Sequence, residues 1–319
     1  MLAGATGFTG EWVAREALLQ ASGASVALAG RSEAKLHALA QALAAELCLR
    51  EPPAVLVADA EDAASLDKLC VRAKVVVVSG GGSGIGAMLA AGFVRNGASV
   101  YVFSRKDTAE YAAALTARGP GRCTAFRANL QQLETLQPLI SEIEAREGRV
   151  DVLVNNAGTN HNEPFATQPA KAFAKVVDVN LNSVFAATQL FAPLLRAAPP
   201  PARVINIASV NGIDPPVNMD TFAYSSSKAA VMMLSRHLAA KLAPDVTVNS
   251  LCPGPFHSRM MRGTFETAGE DTIADGTLVG RVGRPADIVG AALLLASDAG
   301  SFLTGVALPV DGGTLLCKL

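Results

Sequence analysis

The feature that most constrains the fold of this chain is a regular alternation of short apolar runs with longer helical segments. The apolar runs are rich in β-branched residues and suit strands that are buried on both faces. These runs are Val75–Val78, Val100–Phe103, Val150–Val154, Val204–Ala208, Thr247–Leu251 and Val306–Val310. The helical segments between them are Ala109–Arg118, Leu133–Arg146, Ala170–Ala197, Tyr224–Leu242 and Pro285–Ser297. This order predicts an α/β fold in which helices cover both faces of a doubly wound parallel sheet.

A second, shorter opening of the same kind precedes this pattern. Its predicted elements are a glycine-rich segment, a strand, a helix and a further strand: Gly4–Gly10, Ser25–Ala29, Glu33–Glu46 and Ala54–Ala58. The order strand, helix, strand then begins again at Lys74. We therefore predict a partial Rossmann-like βαβαβ segment over residues 1–73 and a complete Rossmann domain over residues 74–319.

Composition limits the class of protein. The chain has 319 residues and a formal net charge of −1, so its charge offers no general attraction for nucleic acid or an anionic membrane. The five cysteines are scattered without C-x-x-C spacing, which predicts free thiols in a reducing compartment and no metal site. Val75–Val94 is uncharged and long enough to span a bilayer, but its six glycines favour a strand, a loop and a helix. With no secretory signal at the start, we expect a cytoplasmic protein.

The segment Ser79–Gly86 has the sequence Ser-Gly-Gly-Gly-Ser-Gly-Ile-Gly and lies between a predicted buried strand and a predicted helix. Glycines here permit a tight turn and let backbone amides approach a pyrophosphate, and the helix start supplies free N–H groups. A turn required only for packing is the alternative. The position after a strand favours dinucleotide binding. The candidate cofactor ligands in this loop are Ser79, Gly80, Ser83, Gly84, Ile85 and Gly86.

The residues after the next strand indicate which dinucleotide is bound. A carboxylate at this position would accept hydrogen bonds from the adenosine ribose, whereas this chain has Ser104, Arg105 and Lys106. Arginine and lysine can hold a 2′-phosphate, arginine through a bidentate fork. The alternative is a pair of solvated surface charges, followed by Asp107. We predict NADP in preference to NAD.

Ser209 follows a predicted strand, and Tyr224 and Lys228 lie four residues apart in a predicted helix. That spacing places the tyrosine and the lysine on one helix face. A free tyrosine has a pKa of about 10, and a nearby ammonium is expected to lower the pKa of the Tyr224 phenol. Ser209 could then hydrogen-bond a substrate carbonyl while Tyr224 transfers the proton and the nicotinamide transfers the hydride. An ordinary surface pair is the alternative for Tyr224 and Lys228 taken alone.

Taken together, these residues resemble the short-chain dehydrogenase/reductase superfamily over about residues 74–319. The matching motifs are Ser79–Gly86, Asn155-Asn156-Ala157-Gly158, Asn180, Ser209, Tyr224-x-x-x-Lys228, Pro253-Gly254 and Asp311-Gly312-Gly313. The resemblance implies that Asn180 joins Ser209, Tyr224 and Lys228 as a fourth catalytic residue. It also implies that Tyr224 and Lys228 contact the cofactor. The further cofactor contacts that it implies are Asn129, Leu130, Asn156, Ala157, Gly158, Pro253 and Gly254.

The sequence departs from the family pattern at two positions. Ser79 stands where the family usually has threonine, and the hydroxyl is kept. Asn129 stands where an acidic residue is usual after the third strand. An amide can still hydrogen-bond an adenine edge, so we expect a weaker preference at this position and retained binding.

Three stretches are similar to 3-oxoacyl thioester reductases of the rhamnolipid-pathway type: Val100–Lys106, Pro201–Ile207 and Pro253–Met261. This implies reduction of a 3-oxoacyl chain, carried by acyl carrier protein or CoA, to the 3-hydroxy form. Residues 255–280 are expected to form a mobile lid over the substrate. The candidate apolar wall residues are Phe256, Met260, Met261 and Phe265, with packing of the lid on the core as the alternative. Arg259 and Arg262 are solvated or meet a phosphopantetheine arm or carrier protein.

Other functions and the role of the front segment stay open at this point. An alcohol or sugar dehydrogenase of the same family, or a cofactor-binding sensor without turnover, would share these motifs. The resemblance implies a homotetramer or homodimer. The front segment resembles saccharopine-dehydrogenase-like and trans-acting enoyl reductase proteins, and Gly30-Arg31-Ser32 would favour a 2′-phosphate. The alternatives for this segment are a second dinucleotide site, a truncated fusion without its own catalysis, and a gene-model or recombination artefact. Val71–Val78 could provide a strand to both regions.

Overall fold

The computed structural model describes most of the chain beyond residue 73 and four short segments before it. The described residues are 2–3, 27–30, 33–46, 54–57, 74–217 and 219–317. The chain divides into two units, Met1–Cys70 and Val71–Leu319.

The front unit contains a three-stranded parallel sheet in the order β1-β2-β3. Its strands are β1 (Leu2–Ala3), β2 (Ala27–Gly30) and β3 (Ala54–Val57). Helix α1 (Glu33–Glu46) connects β2 to β3 and buries Leu36, Ala40 and Leu43, which share one helix face. The predicted nucleotide loop Gly4–Gly10 lies outside the described residues, as do Arg31 and Ser32.

The larger unit is built on seven parallel strands. They are β4 (Val75–Ser79), β5 (Ser99–Ser104), β6 (Arg122–Arg127), β7 (Val152–Asn155), β8 (Ala202–Ile207), β9 (Val246–Pro253) and β10 (Ala307–Val310). Their order across the sheet is β10-β9-β8-β7-β4-β5-β6, so strands are added on one side of β4 up to β6 and on its other side from β7 onward. A crevice forms at such a switch in strand order, beyond the carboxyl ends of the strands. The predicted doubly wound parallel sheet is confirmed.

Helices cover both faces of this sheet. They are α2 (Gly84–Arg95), α3 (Ala109–Arg118), α4 (Gln137–Arg146), α5 (Ala170–Val177), α6 (Ser183–Arg196), α7 (Phe222–Leu242), α8 (Arg262–Ala268), α9 (Glu270–Asp275) and α10 (Pro285–Ala296). Alternate residues of β4 point to opposite faces. Val76 and Val78 pack in the core beneath α2 and α10, and Val75 and Val77 pack in the core beneath α4 and α6. Both faces are therefore buried.

The structure corrects several details of the predicted elements. Strand β6 was not among the predicted strands because its sequence is partly polar and it lies at the edge of the sheet. The predicted helix Ala170–Ala197 is interrupted by a π-helical turn at Asp178–Asn182. Val75–Val78 does not provide a strand to both regions, because the two edges of β4 are occupied by β5 and β7. The rest of the proposed shared run, Val71–Ala73, lies outside the described residues.

The uncharged stretch Val75–Val94 forms a strand, a loop and most of α2, as its glycines predicted. Within the described ranges, no helix combines the length and apolar character needed to span a bilayer. Nor does this part of the chain bring together three or more His, Cys, Asp or Glu side chains that could hold a metal ion.

Candidate active site

The candidate site lies where β4 and β7 end side by side. Ser79 closes β4, and its Oγ accepts hydrogen bonds from the backbone N–H groups of Asn156 (2.9 Å) and Ala157 (3.0 Å). In return, Asn156 Nδ2 donates to the carbonyl oxygen of Ser79 at 2.9 Å. The buried Ser79 hydroxyl thus joins the glycine loop to the Asn-Asn-Ala-Gly run. Serine can make this connection in place of the usual threonine because it keeps the hydroxyl.

The glycine loop leads directly into α2. Gly80 (φ 66°) and Gly84 (φ 54°) lie in the left-handed region, which residues with a side chain rarely adopt. Ser83 precedes the helix in an extended conformation, and its side chain makes no capping hydrogen bond. The first turn of α2 therefore keeps backbone N–H groups for an anionic ligand, and the positive end of the helix dipole favours one. These residues fit the diphosphate of a dinucleotide.

The carboxyl ends of β5 and β6 form a cationic edge beside this loop. Arg105 and Lys106 are exposed, and Arg127 Nε donates to the carbonyl oxygen of Arg105 at 3.2 Å. Ser104 Oγ donates to the carbonyl oxygen of Lys106 at 2.7 Å, which fixes the turn after β5. Asp107 accepts a hydrogen bond from the backbone N–H of the residue two positions on, so its carboxylate is used in the turn. The sequence analysis did not identify Arg127 as part of this edge, because it is the pairing of β5 with β6 that brings Arg127 next to Arg105.

Asn129 and Leu130 follow β6, as the family resemblance implied. Asn129 Oδ1 accepts from the N–H of Gln131 at 3.2 Å, and its own N–H donates to Thr135 Oγ1 at 2.8 Å. Leu130 is half-buried against the core. The structure therefore holds this turn with its own hydrogen bonds, and the adenine contacts of the two residues stay a prediction.

Ser209, Tyr224 and Lys228 come together at the carboxyl end of β8. Lys228 is only 4% exposed, and its Nζ donates to the carbonyl oxygen of Ile207 at 2.6 Å. The same nitrogen lies 5.6 Å from the centroid of the Tyr224 ring. Ser209 is buried, and its hydroxyl is close enough to the Tyr224 side chain to lower the pKa of the phenol. The i, i+4 spacing in α7 and the end of β8 thus assemble three groups that can transfer protons.

The pKa values in this cluster are set mainly by burial. Burial raises the pKa of the Tyr224 phenol above its ordinary value, and the nearby Ser209 hydroxyl opposes this only in part. The predicted lowering of the Tyr224 pKa is therefore wrong in direction. Desolvation of the phenolate raises the pKa by more than the nearby polar group lowers it. Burial also lowers the pKa of Lys228 to about 8. At neutral pH the phenol is protonated and can act as a proton donor.

Asn180 lies in the π-helical turn and is fully buried. Its Oδ1 accepts from the backbone N–H of Thr159 at 2.8 Å, and its Nδ2 donates to the Thr159 carbonyl oxygen at 2.9 Å and to Ser227 Oγ at 3.0 Å. A Cβ atom at Gly158 would lie 3.3 Å from Asn180 Oδ1 and 3.6 Å from Lys228 Nζ. Asn180 and Lys228 therefore flank Gly158. A π turn at a functional site is common.

Pro253 ends β9 next to the same cluster, and Gly254 follows it. The Gly254 N–H donates to the carbonyl oxygen of Val310 at 3.0 Å, and a Cβ atom at Gly254 would lie 2.8 Å from Asp311 Cα. Glycine is required here by this close approach. The preceding residue, Cys252, is fully buried, and burial raises the pKa of its thiol to about 11. No sequence pattern singled out this cysteine as a neighbour of Lys228.

The four candidate wall residues of the lid differ in environment. Phe256 is 2% exposed and packs in the core against Gly283, so the packing alternative holds for this residue. Met260 is exposed, whereas Met261 and Phe265 are half-buried. The Phe265 ring stacks on the His257 ring with centroids 4.5 Å apart. Three of the four side chains therefore remain accessible.

Further apolar side chains precede Tyr224 and were not singled out in the sequence. Phe222, two residues before Tyr224, meets Phe165 edge to face with ring centroids 5.8 Å apart. Phe165 is 82% exposed, and Ile213 and Met219 are exposed as well. Ile213, Met219 and Phe222 thus present apolar surface on the segment that leads to Tyr224, and Phe165 adds to it from the segment between β7 and α5.

Comparison with known proteins assigns the chain to a family. Residues 80–314 match a family model described as enoyl-(acyl carrier protein) reductase. The chain is 38% identical over 246 residues to the rhamnolipids biosynthesis 3-oxoacyl-(acyl-carrier-protein) reductase of Pseudomonas aeruginosa, covering 75% of this chain and 95% of that protein. It is 33% identical over 248 residues to the 3alpha-hydroxysteroid dehydrogenase of Mediterraneibacter gnavus, covering 76% and 98%.

A solved structure agrees with these relatives. The Pseudomonas aeruginosa RhlG/NADP active-site complex is similar with a TM-score of 0.71 and 38% identity, over 76% of this chain and 96% of that chain. The fold, the motif positions and the relatives lead to the same conclusion. The chain belongs to the short-chain dehydrogenase/reductase superfamily of oxidoreductases.

Proposed function

We propose that this protein is an NADPH-dependent carbonyl reductase in which Tyr224 is the general acid. The observation that carries the proposal is the meeting of Ser209, Tyr224 and buried Lys228 at the carboxyl edge of the sheet. The same edge carries the uncapped start of α2 and the cationic residues after β5. When bound, NADPH supplies the hydride that adds to the carbonyl carbon.

In this proposal the protein orients the carbonyl and delivers one proton. The Ser209 hydroxyl hydrogen-bonds the substrate carbonyl oxygen, and the protonated Tyr224 phenol donates its proton to that oxygen as negative charge develops. The Lys228 ammonium stabilises the phenolate that remains and can return a proton to it. Asn180 holds the Thr159 segment against α7, so it keeps the floor of the site in place.

We further propose that the substrate is a 3-oxoacyl thioester on acyl carrier protein or CoA, which is reduced to the 3-hydroxyacyl thioester. The accessible apolar side chains of the lid and the exposed Phe165 and Phe222 suit an acyl chain. The relative from rhamnolipid biosynthesis is named as a 3-oxoacyl-(acyl-carrier-protein) reductase, which supports this substrate class.

A substrate panel tests this proposal. Purified protein is incubated with NADPH or NADH and with 3-oxoacyl thioesters, ketosteroids and keto sugars, and oxidation of the nucleotide is followed by absorbance. We expect the highest kcat/KM with NADPH and 3-oxoacyl thioesters. Preference for sugars or alcohols in the oxidative direction would support the dehydrogenase alternative instead. Tight NADPH binding without turnover of any substrate would support a sensor.

Replacing Arg105 with Ala is expected to weaken NADPH binding and leave NADH binding unchanged. A charge-assisted hydrogen bond to the 2′-phosphate contributes roughly 1.5–3 kcal/mol, which corresponds to about 10- to 100-fold in Kd. Fluorescence titration of each nucleotide measures the effect. Arg118→Ala, which removes an arginine at the end of α3, is the matched control. Equal weakening of NADPH and NADH binding would argue against a 2′-phosphate contact.

The rate of carbonyl reduction is expected to fall as the pH rises through about 8. The pKa of Lys228 is lowered to about 8, so the ammonium loses its proton in this window while the reaction still requires a proton from the site. The measurement is kcat/KM for NADPH-dependent reduction as a function of pH at constant ionic strength. A rate that rises through this window would contradict the assignment of Lys228.

We also propose that residues 74–319 are the catalytic unit and act as a homodimer or homotetramer. The family match over residues 80–314 supports the first point, and exposed apolar Phe185 and Met233 on α6 and α7 support the second. Residues 1–73 are then a partial Rossmann-like segment without a catalytic half. The protein is proposed to work in the cytoplasm.

A further inference from the structure

Arg259 of the lid reaches back to the glycine loop. Its Nη2 donates to Ser83 Oγ at 2.8 Å, although the two residues are 176 positions apart in the sequence. The neighbouring residue also touches the loop, since a Cβ atom at Gly84 would lie 3.2 Å from Ser258 Cβ. The segment that follows β9 therefore lies directly on the residues that begin α2.

The Arg259 guanidinium has no anionic partner among the described residues. Ser83 is a neutral acceptor, and the start of α2 is the positive end of a helix dipole. Among the residues that the structure describes, Arg259 makes no ion pair with a carboxylate. A cation placed beside a positive helix end, with only a hydroxyl as its partner, gains most from an anion bound at the same place.

We infer that Arg259 is a ligand of the dinucleotide diphosphate and fastens the lid over the bound cofactor. The inference rests on the proposed function, since it requires the glycine loop to hold a dinucleotide. The helix start binds the diphosphate through backbone N–H groups from one side, and the guanidinium binds it from the lid side. This contact differs from the one proposed for Arg105, which lies after β5 and serves the 2′-phosphate.

The contact links cofactor binding to the substrate wall. Met260 and Met261 follow Arg259 directly, and α8 begins at Arg262. A lid that is also held by the diphosphate therefore keeps these methionines more firmly at the site when the cofactor is bound.

Two nucleotide fragments allow the diphosphate contact of Arg259 and the 2′-phosphate contact of Arg105 to be tested separately. ADP-ribose carries the diphosphate without a 2′-phosphate, and adenosine 2′-monophosphate carries the 2′-phosphate without a diphosphate. Their Kd values are measured by calorimetry for the full-length protein and for Arg259→Ala, Arg259→Lys and Arg105→Ala. Arg262→Ala is the matched control, because it removes an exposed lid arginine that makes no described hydrogen bond to the glycine loop.

We expect Arg259→Ala to weaken ADP-ribose binding about 10- to 100-fold and to leave adenosine 2′-monophosphate binding within about twofold. Arg105→Ala should show the reverse pattern, and Arg259→Lys should fall between wild type and alanine because lysine keeps the charge without the planar fork. Arg262→Ala should bind both fragments like wild type. Circular dichroism of each variant checks the fold.

Limited proteolysis gives a second readout on the lid. ADP-ribose is expected to protect residues 262–280 from cleavage in the wild-type protein and not in Arg259→Ala. Wild-type affinity of Arg259→Ala for ADP-ribose, or equal protection in both proteins, would overturn the inference and leave the proposed function standing. Failure of the wild-type protein to bind either fragment would overturn both.

Discussion

Replacing Tyr224 with Phe is expected to lower kcat for carbonyl reduction by about 10²- to 10⁴-fold. The substitution removes only the hydroxyl that donates the proton and keeps the ring beside Lys228 and Ser209. Because the diphosphate and 2′-phosphate contacts lie elsewhere in the site, NADPH binding should change by less than about threefold, well below the cost of a lost charge-assisted hydrogen bond. Steady-state kinetics and NADPH titration measure the two effects separately.

Tyr111→Phe is the matched control for this substitution. The hydroxyl of Tyr111 in α3 donates to the carbonyl oxygen of Ala87 in α2 at 2.7 Å. It has no part in the proposed chemistry. This variant should keep the kcat of the wild type with a small loss of stability. Retention of wild-type kcat by Tyr224→Phe would contradict the general-acid role.

Replacing Lys228 with Met is expected to lower kcat by a similar factor, about 10²- to 10⁴-fold. The variant removes the cation that stabilises the Tyr224 phenolate and returns its proton. The fold should survive with some loss of stability, because methionine fills a similar volume but leaves the Ile207 carbonyl oxygen without the hydrogen bond from Lys228. Thermal unfolding and steady-state kinetics on the same preparation distinguish lost chemistry from lost structure.

Lys241→Met provides the comparison for Lys228→Met. Lys241 is an exposed lysine in the last turn of the same helix, so it tests whether removal of any lysine from α7 affects turnover. It should behave like wild type. A Lys228→Met enzyme within tenfold of the wild-type kcat would mean that Tyr224 works without the ammonium.

The sequence predicted those parts of the fold that are buried on both faces. The apolar run before Ser79 stands out because β4 is buried throughout and begins with four valines. Strand β8 before Ser209 is also buried throughout, and its Val204, Ile205 and Ile207 mark it as a strand although Arg203 and Asn206 are polar. Strand β6 could not be found in the same way. At the edge of the sheet, it carries Arg122 and Arg127 at its ends and is only partly buried.

The sequence predicted those parts of the candidate site whose residues are close together along the chain. The spacing of Tyr224 and Lys228 follows from helix geometry, and the glycine loop follows from its place after a strand. The direction of the Tyr224 pKa was not predictable, because it depends on desolvation by residues from several elements. The contact between Arg259 and Ser83 likewise joins residues far apart in the chain, and only the folded lid reveals it.

Phe256 shows the limit of reading function from residue type alone. A phenylalanine in a lid suits an acyl chain as well as a core, and the sequence does not distinguish the two. In the structure the ring packs against Gly283, where any side chain would collide with it. Its neighbours Met260 and Met261 stay accessible, so the proposed substrate wall is smaller than the sequence predicted.

The most direct test of the proposed reaction is to follow the transferred hydride into the product. The wild-type protein is incubated with a 3-oxoacyl thioester and NADPH that is dideuterated at C4 of the nicotinamide, and the product is analysed by mass spectrometry. We expect a 3-hydroxyacyl thioester with a single deuterium on C3, formed about 10²- to 10⁴-fold more slowly by Tyr224→Phe than by wild type. No 3-hydroxyacyl product, or a product without deuterium on C3, would contradict the proposal.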